Sequence, residues 1–267
     1  MKTPEEALNR ARKPSLWLAL LEARVALDVA AMGVAMGASL LSPSRPAARA
    51  RERIIVLPGF GADDRATWPL RRHLARQGWA VEGWGLGLNQ GGMDAPHGPH
   101  LVSAHWGADR PGRYRGELAV PCLVDRFIAQ ARARHAATGD KLILVGWSLG
   151  GYVAREAARE LPDIISQVIT LGTPAIGGPL FTALADRFRA KGTDIDWIAR
   201  QTVKRQQVPI SQPLTVIWSR LDGVVDWRAA RDGWSPRGRE VEVTTSHLGL
   251  CFSPKVWREI DVALARG

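Results

Sequence analysis

A serine lies at the centre of the glycine-flanked pentapeptide Gly-Trp-Ser-Leu-Gly at residues 146–150. The apolar run LILV at 142–145 precedes it, and a helical pattern over 149–161 follows it. This order of strand, turn and helix is typical of a nucleophile elbow, in which a sharp turn presents a serine hydroxyl. The pattern therefore predicts that Ser148 is the nucleophile of an acyl-transfer reaction.

A serine hydroxyl needs a general base before it can attack a carbonyl carbon, and the base needs an acid that orients it. For a nucleophile elbow, the chain order is serine, then the acid, then histidine. Of the six histidines only His247 follows Ser148, and it lies between a strand pattern and the last helical pattern. His247 is therefore the predicted base.

The orienting acid should follow the strand pattern at 213–219, where Asp222 and Asp226 are both candidates. We favour Asp222 because it comes directly after the strand, in a loop that Gly223 makes tight. Asp226 has an alternative use as the cap of a helix that begins near Trp227.

An oxyanion intermediate needs two N–H donors in fixed positions. The backbone N–H of Leu149 is predicted as one donor because it comes next after the nucleophile. The other donor should come from the loop after the first core strand, which reads Leu-Pro-Gly-Phe-Gly at 57–61. Gly59 allows a turn there, and the N–H of Phe60 is the predicted second donor.

Short apolar runs alternate with helical patterns from residue 53 onward, which predicts an α/β fold with a parallel sheet covered on both faces. Strands are predicted at 53–57, 79–84, 142–145, 164–171, 213–219 and 241–245, and helices at 68–77, 120–137, 149–161 and 254–265.

The ordered set of these pieces resembles the α/β-hydrolase superfamily, and within it bacterial lipase/esterase-like proteins. The pieces are IIVLPGFGADD, GWGLGLNQG, LILVGWSLGG, VITLGTP, SRLDGVVDW and SHLGL, which together cover about residues 51–265. The sequence has Pro58-Gly59 where many relatives have His-Gly, a departure that bears on the detailed geometry of the oxyanion hole.

The resemblance implies an α/β-hydrolase fold with a mostly parallel central sheet, helices on both faces and a small helical cap. It also implies a serine esterase or lipase, whose chemistry needs no cofactor. The resemblance further implies that Ser148, Asp222 and His247 form a catalytic triad, and that the N–H groups of Phe60 and Leu149 form the oxyanion hole.

Two segments lie outside this core pattern. Residues 1–50 are predicted as an N-terminal helical segment, followed by a hydrolase domain at 51–267. Residues 175–212 are predicted as a cap insertion with helical stretches at 181–190 and 194–207. Apolar residues of the cap would line an acyl pocket: Phe181, Leu184, Phe188, Trp197 and Ile198.

The stretch 16–41 reads as helical and admits three interpretations. A membrane span requires about 20 apolar residues, but the apolar run here is shorter and contains Asp28. A secretory signal requires a basic start, but here Glu5 and Glu6 precede the run. We favour a helix or helix pair packed on the globular body, with peripheral membrane contact through 16–41 as a further hypothesis.

Composition narrows the class of partner. Lys and Arg number 36 against 26 Asp and Glu, and the resulting net charge of +10 is spread along the chain. Nucleic-acid binding is disfavoured because binders of that class concentrate their charge in one stripe. His97, His100 and His105 do not fit a zinc spacing. The two cysteines are too few for a disulfide framework or a four-thiolate zinc site, and they do not indicate a compartment.

The sequence thus predicts a serine hydrolase that cleaves small-molecule or lipid esters through an acyl-serine intermediate. One alternative is an acyltransferase or thioesterase with the same triad. Another is a non-catalytic, membrane-associated or binding member of the superfamily. The sequence predicts a cytoplasmic or membrane-associated location and does not exclude secretion.

Overall fold

The computed structural model describes residues 3–40 and 51–267 and contains a six-stranded, fully parallel sheet. Its order is β2-β1-β3-β4-β5-β6. The strands are β1 Glu52–Leu57, β2 Ala80–Gly83, β3 Lys141–Trp147, β4 Ile165–Leu171, β5 Leu214–Ser219 and β6 Gly238–Val243. The expectation of a mostly parallel sheet is confirmed.

Eleven α-helices flank or extend this sheet within the described ranges. The first six are α1 Pro4–Arg10, α2 Leu16–Leu21, α3 Val25–Leu40, α4 Trp68–Arg76, α5 Ala119–Thr138 and α6 Leu149–Glu160. The others are α7 Ala185–Ala190, α8 Ile195–Arg205, α9 Trp227–Ala230, α10 Gly249–Phe252 and α11 Pro254–Arg266.

The central strands read as continuous apolar runs because both of their faces are buried. In β3, Leu142 and Leu144 point to a core shared with α5 and α6, whereas Ile143 and Val145 point to a core shared with α4 and α11. This alternation follows from the two-residue period of a strand. Helices therefore cover both faces of the sheet, as the sequence predicts.

Most predicted element boundaries shift by one or two residues, and two of the differences bear on the loops near the site. The last strand ends at Val243 rather than at residue 245, because it pairs with β5 only as far as Ser219↔Val243. The Ser219 hydroxyl then donates to the carbonyl oxygen of Thr245 at 2.6 Å. The helix predicted at 181–190 begins later, as α7 at Ala185, because a 3-10 turn at Gly178–Phe181 precedes it.

The described part of the N-terminal segment forms two short helices, α1 and α2, and the longer α3, so the stretch that begins at residue 16 is a helix pair. Ser15 caps α2 by accepting a hydrogen bond from the Leu18 N–H at 3.4 Å. A 3-10 turn at Glu22–Arg24 then separates α2 from α3. Met32 and Met36 of α3 pack against the core that contains α11, so this segment lies on the globular body. The last residue of the stretch 16–41, Leu41, lies outside the described residues.

Candidate active site

Ser148 occupies the tight turn between β3 and α6. Its backbone torsions are φ 54° and ψ −123°, a left-handed region that side-chain-bearing residues rarely adopt. Such strain costs about 1–3 kcal/mol and is tolerated where the surrounding structure holds it in place. The Ser148 N–H donates to the Leu171 carbonyl at the end of β4, at 2.8 Å, and so ties the turn to the neighbouring strand.

Glycine is required where the turn meets the loop after β1. A Cβ built on Gly150 would lie 2.5 Å from the carbonyl oxygens of Leu57 and Pro58, closer than real Cβ contacts come. From the other side, a Cβ on Gly59 would lie 3.1 Å from the Cβ of Ser148. The loop that contains Phe60 is therefore packed directly against the serine turn.

Asp222 and His247 form a buried hydrogen-bonded pair. Nδ1 of His247 lies 2.7 Å from Oδ2 of Asp222, and their side chains are 3% and 1% exposed. The second carboxylate oxygen of Asp222 accepts the N–H groups of Val224 and Val225 at 2.9 and 2.7 Å. A carboxylate held in this way accepts the Nδ1 proton of the ring, and Nε2 of His247 is then the nitrogen that can take up a proton.

The pKa of His247 reflects two opposing effects. Burial by itself lowers the pKa, because a desolvated imidazolium is unfavourable. The charge of Asp222 and its hydrogen bond raise the pKa, and the charge of Glu22 raises it further. The raising effects are larger together, so the pKa of His247 lies above its usual value of 6.5.

The other candidate acid, Asp226, performs a different task. It caps α9 by accepting the N–H of Arg228 at 2.9 Å, which is the use that its position predicts. Its second carboxylate oxygen accepts the backbone N–H of Arg12, next to the end of α1. The structure therefore places Asp222, and not Asp226, against His247.

Two neighbours bring the serine turn and the Asp222–His247 pair to the same edge of the sheet. Trp147, adjacent to Ser148, donates its indole N–H to the carbonyl oxygen of His247 at 3.1 Å, and the two rings lie 5.8 Å apart. At the end of β4, a Cβ on Gly172 would lie 2.9 Å from Oδ2 of Asp222 and 3.1 Å from Nδ1 of His247. Only a glycine leaves room for the pair at that position.

Asn89 holds the loop of Phe60 in place. This fully buried side chain donates to the carbonyl of Pro58 at 2.8 Å, and its backbone carbonyl accepts the N–H of Gly61 at 2.8 Å. Phe60 itself is 41% exposed and meets Phe188 of α7 edge to face, with ring centroids 6.2 Å apart. The loop is thus fixed from below by a polar residue and contacted from above by an apolar one.

Sequence reasoning missed three supporting residues, Asn89, Trp147 and Glu22. Asn89 and Trp147 lie within pieces of sequence that resemble the superfamily, but no spacing rule singles out either side chain. Glu22 lies far outside those pieces, and it accepts the backbone N–H of His247 at 2.8 Å. No signal near the catalytic motifs identifies Glu22, because only the fold brings the N-terminal segment to this edge.

The histidines near residue 100 have separate environments. His97 hydrogen-bonds to Tyr114, whereas His105 lies 3.3 Å from Asp125 and 3.6 Å from Glu160. Across residues 3–40 and 51–267, no three His, Cys, Asp or Glu side chains are grouped as a metal site would require. Both cysteines of the chain are buried and free.

A protein-family model for the alpha/beta hydrolase fold matches residues 52–194 of the sequence, which is more than half of the chain. The chain belongs to the α/β-hydrolase family. This result confirms the resemblance inferred from the ordered motifs, and the sheet order, the helices on both faces and the turn at Ser148 agree with it.

Solved structures of a lipolytic enzyme and of a phospholipase have the same fold. A metagenome-derived lipolytic enzyme aligns with a TM-score of 0.56 at 16% identity, over 82% of this α/β-hydrolase and 94% of that chain. A bacterial membrane phospholipase A aligns with a TM-score of 0.52 at 14% identity, over 94% of this chain and 97% of the other.

A curated relative is closer in sequence but matches over a shorter stretch. Homoserine O-acetyltransferase of Thermus thermophilus is 33% identical over 130 residues, which cover 43% of this α/β-hydrolase. The match spans 33% of the acetyltransferase, so this chain corresponds to only about a third of its relative's length.

Proposed function

We propose that this α/β-hydrolase cleaves carboxylic esters through an acyl-serine intermediate. The observation that carries the proposal is the buried hydrogen bond between Asp222 and His247 at the edge of the sheet where the strained Ser148 turn lies. A serine on a strained turn and a histidine whose Nδ1 is hydrogen-bonded to an aspartate are the components of a Ser-His-Asp catalytic triad. Among the described residues we assign the nucleophile to Ser148, the base to His247 and the orienting acid to Asp222.

In the proposed reaction, Oγ of Ser148 attacks the ester carbonyl carbon while Nε2 of His247 takes its proton. The N–H groups of Phe60 and Leu149 hold the oxyanion, and its collapse breaks the bond to the alcohol oxygen. The alcohol leaves with the proton from His247. Water then attacks the acyl-serine, His247 again accepts and returns a proton, and the carboxylic acid and free Ser148 are released.

We assign the acyl chain to the space bounded by Phe60 and Phe188. Their edge-to-face contact lies over the loop that would supply an oxyanion donor. A Cβ on nearby Gly91 would lie 3.5 Å from Phe60 and 3.6 Å from the Leu149 side chain, so these apolar groups form one surface. We treat residues 175–212 as a cap of the domain 51–267, and residues 1–50 as an N-terminal segment whose described part, 3–40, is helical.

Phe181, one of the five residues expected to line the pocket, lies in a different environment. It packs against a small core that contains Ala7 and Ile176. Trp197 is 8% exposed and belongs to the buried side of α8. We assign substrate contact to Phe188 because its ring meets Phe60 in the loop that would supply an oxyanion donor.

A panel of p-nitrophenyl esters of increasing acyl length tests the function, with Ser148→Ala beside the wild type. Turnover by Ser148→Ala should be at least about 10³-fold lower than turnover by the wild type, since the nucleophile is lost. A fluorophosphonate should label the wild type and not this variant. Ser103→Ala, which removes an exposed serine, is the matched control and should behave as wild type. Equal turnover by wild type and Ser148→Ala would refute the assignment.

Acyl transfer to an alcohol is the second candidate, and the sequence similarity to homoserine O-acetyltransferase favours it. Water and an alcohol compete for the same acyl-enzyme, so the proposed residues keep their roles and only the acceptor changes. Product analysis with p-nitrophenyl acetate plus homoserine or simple alcohols separates the two. Predominant formation of the new ester identifies a transferase, whereas acetate as the main product identifies a hydrolase.

Membrane contact by the N-terminal segment is a third, compatible proposal. Leu16, Trp17 and Val34 are 86%, 76% and 76% exposed, and apolar side chains in such a position can insert into a lipid surface. No helix within 3–40 or 51–267 is long and apolar enough to cross a bilayer. Co-sedimentation with anionic and zwitterionic vesicles tests the contact, and Trp17→Ser together with Leu16→Ser should weaken it.

A further inference from the structure

One carboxylate of the N-terminal segment joins the two loops that carry Asp222 and His247. Oε1 of Glu22 accepts the N–H of Gly223 at 2.8 Å and the N–H of His247 at 2.8 Å. Its other oxygen accepts the N–H of Leu248 at 3.0 Å. Glu22 therefore contacts the residue after the proposed acid, the proposed base, and the residue after the base.

The two loops are far apart in the chain, so non-covalent contacts must hold them together. One follows β5 and the other follows β6, and 25 positions separate Asp222 from His247 in the chain. A carboxylate that accepts three backbone N–H groups fixes their relative position through charge-assisted hydrogen bonds, which are stronger than neutral ones. The loops are thus joined twice, by the Asp222–His247 bond and by Glu22.

The backbone around Glu22 is itself fitted to this position. A Cβ built on Gly223 would lie 2.2 Å from the carbonyl oxygen of Leu18, so the chain before Glu22 packs directly on the acid loop. On the other side, Asp28 accepts the hydroxyl of Thr245, two residues before His247, at 2.7 Å. The 3-10 turn between α2 and α3 aims Glu22 between these two anchors.

We propose that Glu22 is a positioning residue of the active site, so that the N-terminal segment completes the catalytic machinery. The inference rests on the proposed ester-hydrolase function. Glu22 holds the backbone of His247 against the acid loop and adds a second negative charge beside the imidazolium that forms during attack by Ser148. The segment thereby contributes to the reaction and is more than a packed extension.

Among the residues that the structure describes, two carboxylates contact His247. Asp222 binds its ring and Glu22 its backbone, and Trp147 from β3 contributes only a neutral indole. Asp28 lies against Thr245 and Gly249, each two residues away from His247 in the chain. Replacing Glu22 therefore removes one of the two carboxylates that contact His247 directly.

The test compares Glu22→Gln and Glu22→Ala with Asp28→Asn, the matched control. All three changes remove a carboxylate from the same segment, but Asp28→Asn keeps a side-chain oxygen that accepts the Thr245 hydroxyl and leaves the contacts of Glu22 to Gly223, His247 and Leu248 in place. With p-nitrophenyl acetate, we expect kcat to fall about tenfold or more in Glu22→Ala and at least threefold in Glu22→Gln. The KM should change less than twofold, and Asp28→Asn should keep at least half of the wild-type kcat.

A second readout does not depend on turnover. In the Ser148→Ala background, proton NMR follows the His247 Nδ1 proton and the titration of the ring. Glu22→Gln should move the midpoint of the His247 titration to lower pH, because the neutral amide stabilises the imidazolium less. Asp28→Asn should leave the midpoint closer to that of the parent.

The two readouts separate failure of this inference from failure of the proposed function. If the wild type hydrolyses no ester and resists the fluorophosphonate, the proposed function fails, and the NMR titration still decides the role of Glu22. An unchanged His247 midpoint in Glu22→Gln would overturn that role. Equal losses of kcat in Glu22→Gln and Asp28→Asn would also overturn it, since they would show that docking of the whole segment is what matters.

Discussion

The imidazole of His247 and the carboxylate of Asp222 lie 2.7 Å apart with almost no solvent access to either side chain. Because the carboxylate also accepts two backbone N–H groups, it cannot turn away from the ring without leaving those donors unpaired. The pair is therefore held in one arrangement before any substrate binds. This pre-organisation, beside a strained serine turn, is what an acyl-transfer site requires.

Replacing the two candidate acids separately should distinguish them. We expect Asp222→Asn to lower kcat by about 10³- to 10⁴-fold, since an amide no longer holds the required tautomer or stabilises the imidazolium. Asp226→Asn should retain most of the turnover, because Asp226 caps α9 and binds the backbone of Arg12. Steady-state kinetics on one ester checks both variants, and the reverse ranking would assign the acid to Asp226.

The pH profile of kcat/KM should have an acid limb set by His247. In the proposed reaction the ring must be neutral to accept the proton of Ser148. Although burial lowers its pKa, the charge and hydrogen bond of Asp222 and the charge of Glu22 raise the pKa above 6.5. Activity should therefore decrease as the pH falls, with a midpoint above 6.5. A midpoint below 6.5 would show that burial outweighs the two carboxylates.

The raised pKa of His247 also makes the free energy of unfolding depend on pH. Activity should rise with pH, whereas this contribution to stability should fall. A histidine whose pKa is raised on folding stabilises the native state most fully below the pKa of the unfolded chain. That contribution is lost as the pH rises through the higher folded-state pKa. Comparing the pH dependence of denaturant unfolding in wild type and His247→Gln should show this difference, and parallel curves would contradict it.

Enlarging Gly150 should separate the serine turn from the loop that carries Phe60. The added methyl of Gly150→Ala would meet the carbonyl oxygens of Leu57 and Pro58 at 2.5 Å, so the backbone must move. We expect a loss of about 1–3 kcal/mol in the free energy of unfolding, together with a marked fall in kcat. The control is Gly112→Ala, because a Cβ there has no neighbour within 4 Å. Wild-type kinetics in Gly150→Ala would argue against Phe60 as a donor.

A buried ion pair between α6 and the segment that follows α9 should contribute strongly to stability. Arg155 and Asp232 lie 2.5 Å apart with side chains 1% and 0% exposed. Asp232→Ala leaves the guanidinium buried without its carboxylate, and we expect a loss of about 3–5 kcal/mol. The exposed pair of Lys204 and Asp109 supplies the control, since solvent screens this pair and Asp109→Ala should lower the free energy of unfolding far less than Asp232→Ala does. Urea denaturation measures both, and similar losses would contradict the prediction.

Truncating Phe188 should alter acyl-chain preference. Phe188 covers Phe60 edge to face, and removing its ring shortens the apolar surface offered to a chain. We expect Phe188→Ala to lower kcat/KM for the longest esters that the wild type accepts by about tenfold, with little change for acetate. Phe181→Ala is the matched control because that ring packs in a separate cluster. A uniform loss over all chain lengths would place Phe188 outside the acyl site.

Local sequence was sufficient for the strands, the turn at Ser148 and the family. Apolar runs such as LILV can be satisfied only by burial on both faces, and a glycine-flanked serine between a strand and a helix is typical of a nucleophile elbow. The assignment of Asp226 as a helix cap also followed from local chemistry, because a cap bonds to N–H groups within its own turn. Such features depend on neighbours in the chain.

Contacts between distant segments were decided only by the tertiary structure. Nothing in the order of residues links Glu22 to His247 across 225 positions, or Asn89 to Pro58, since these bonds join side chains to backbone atoms that carry no residue-specific signal. The sequence left Asp222 and Asp226 both within reach, and the loop after β5 placed only Asp222 beside the ring. Spacing along the chain identifies groups able to react, but their distances and surroundings are fixed by how the whole sheet and its helices pack.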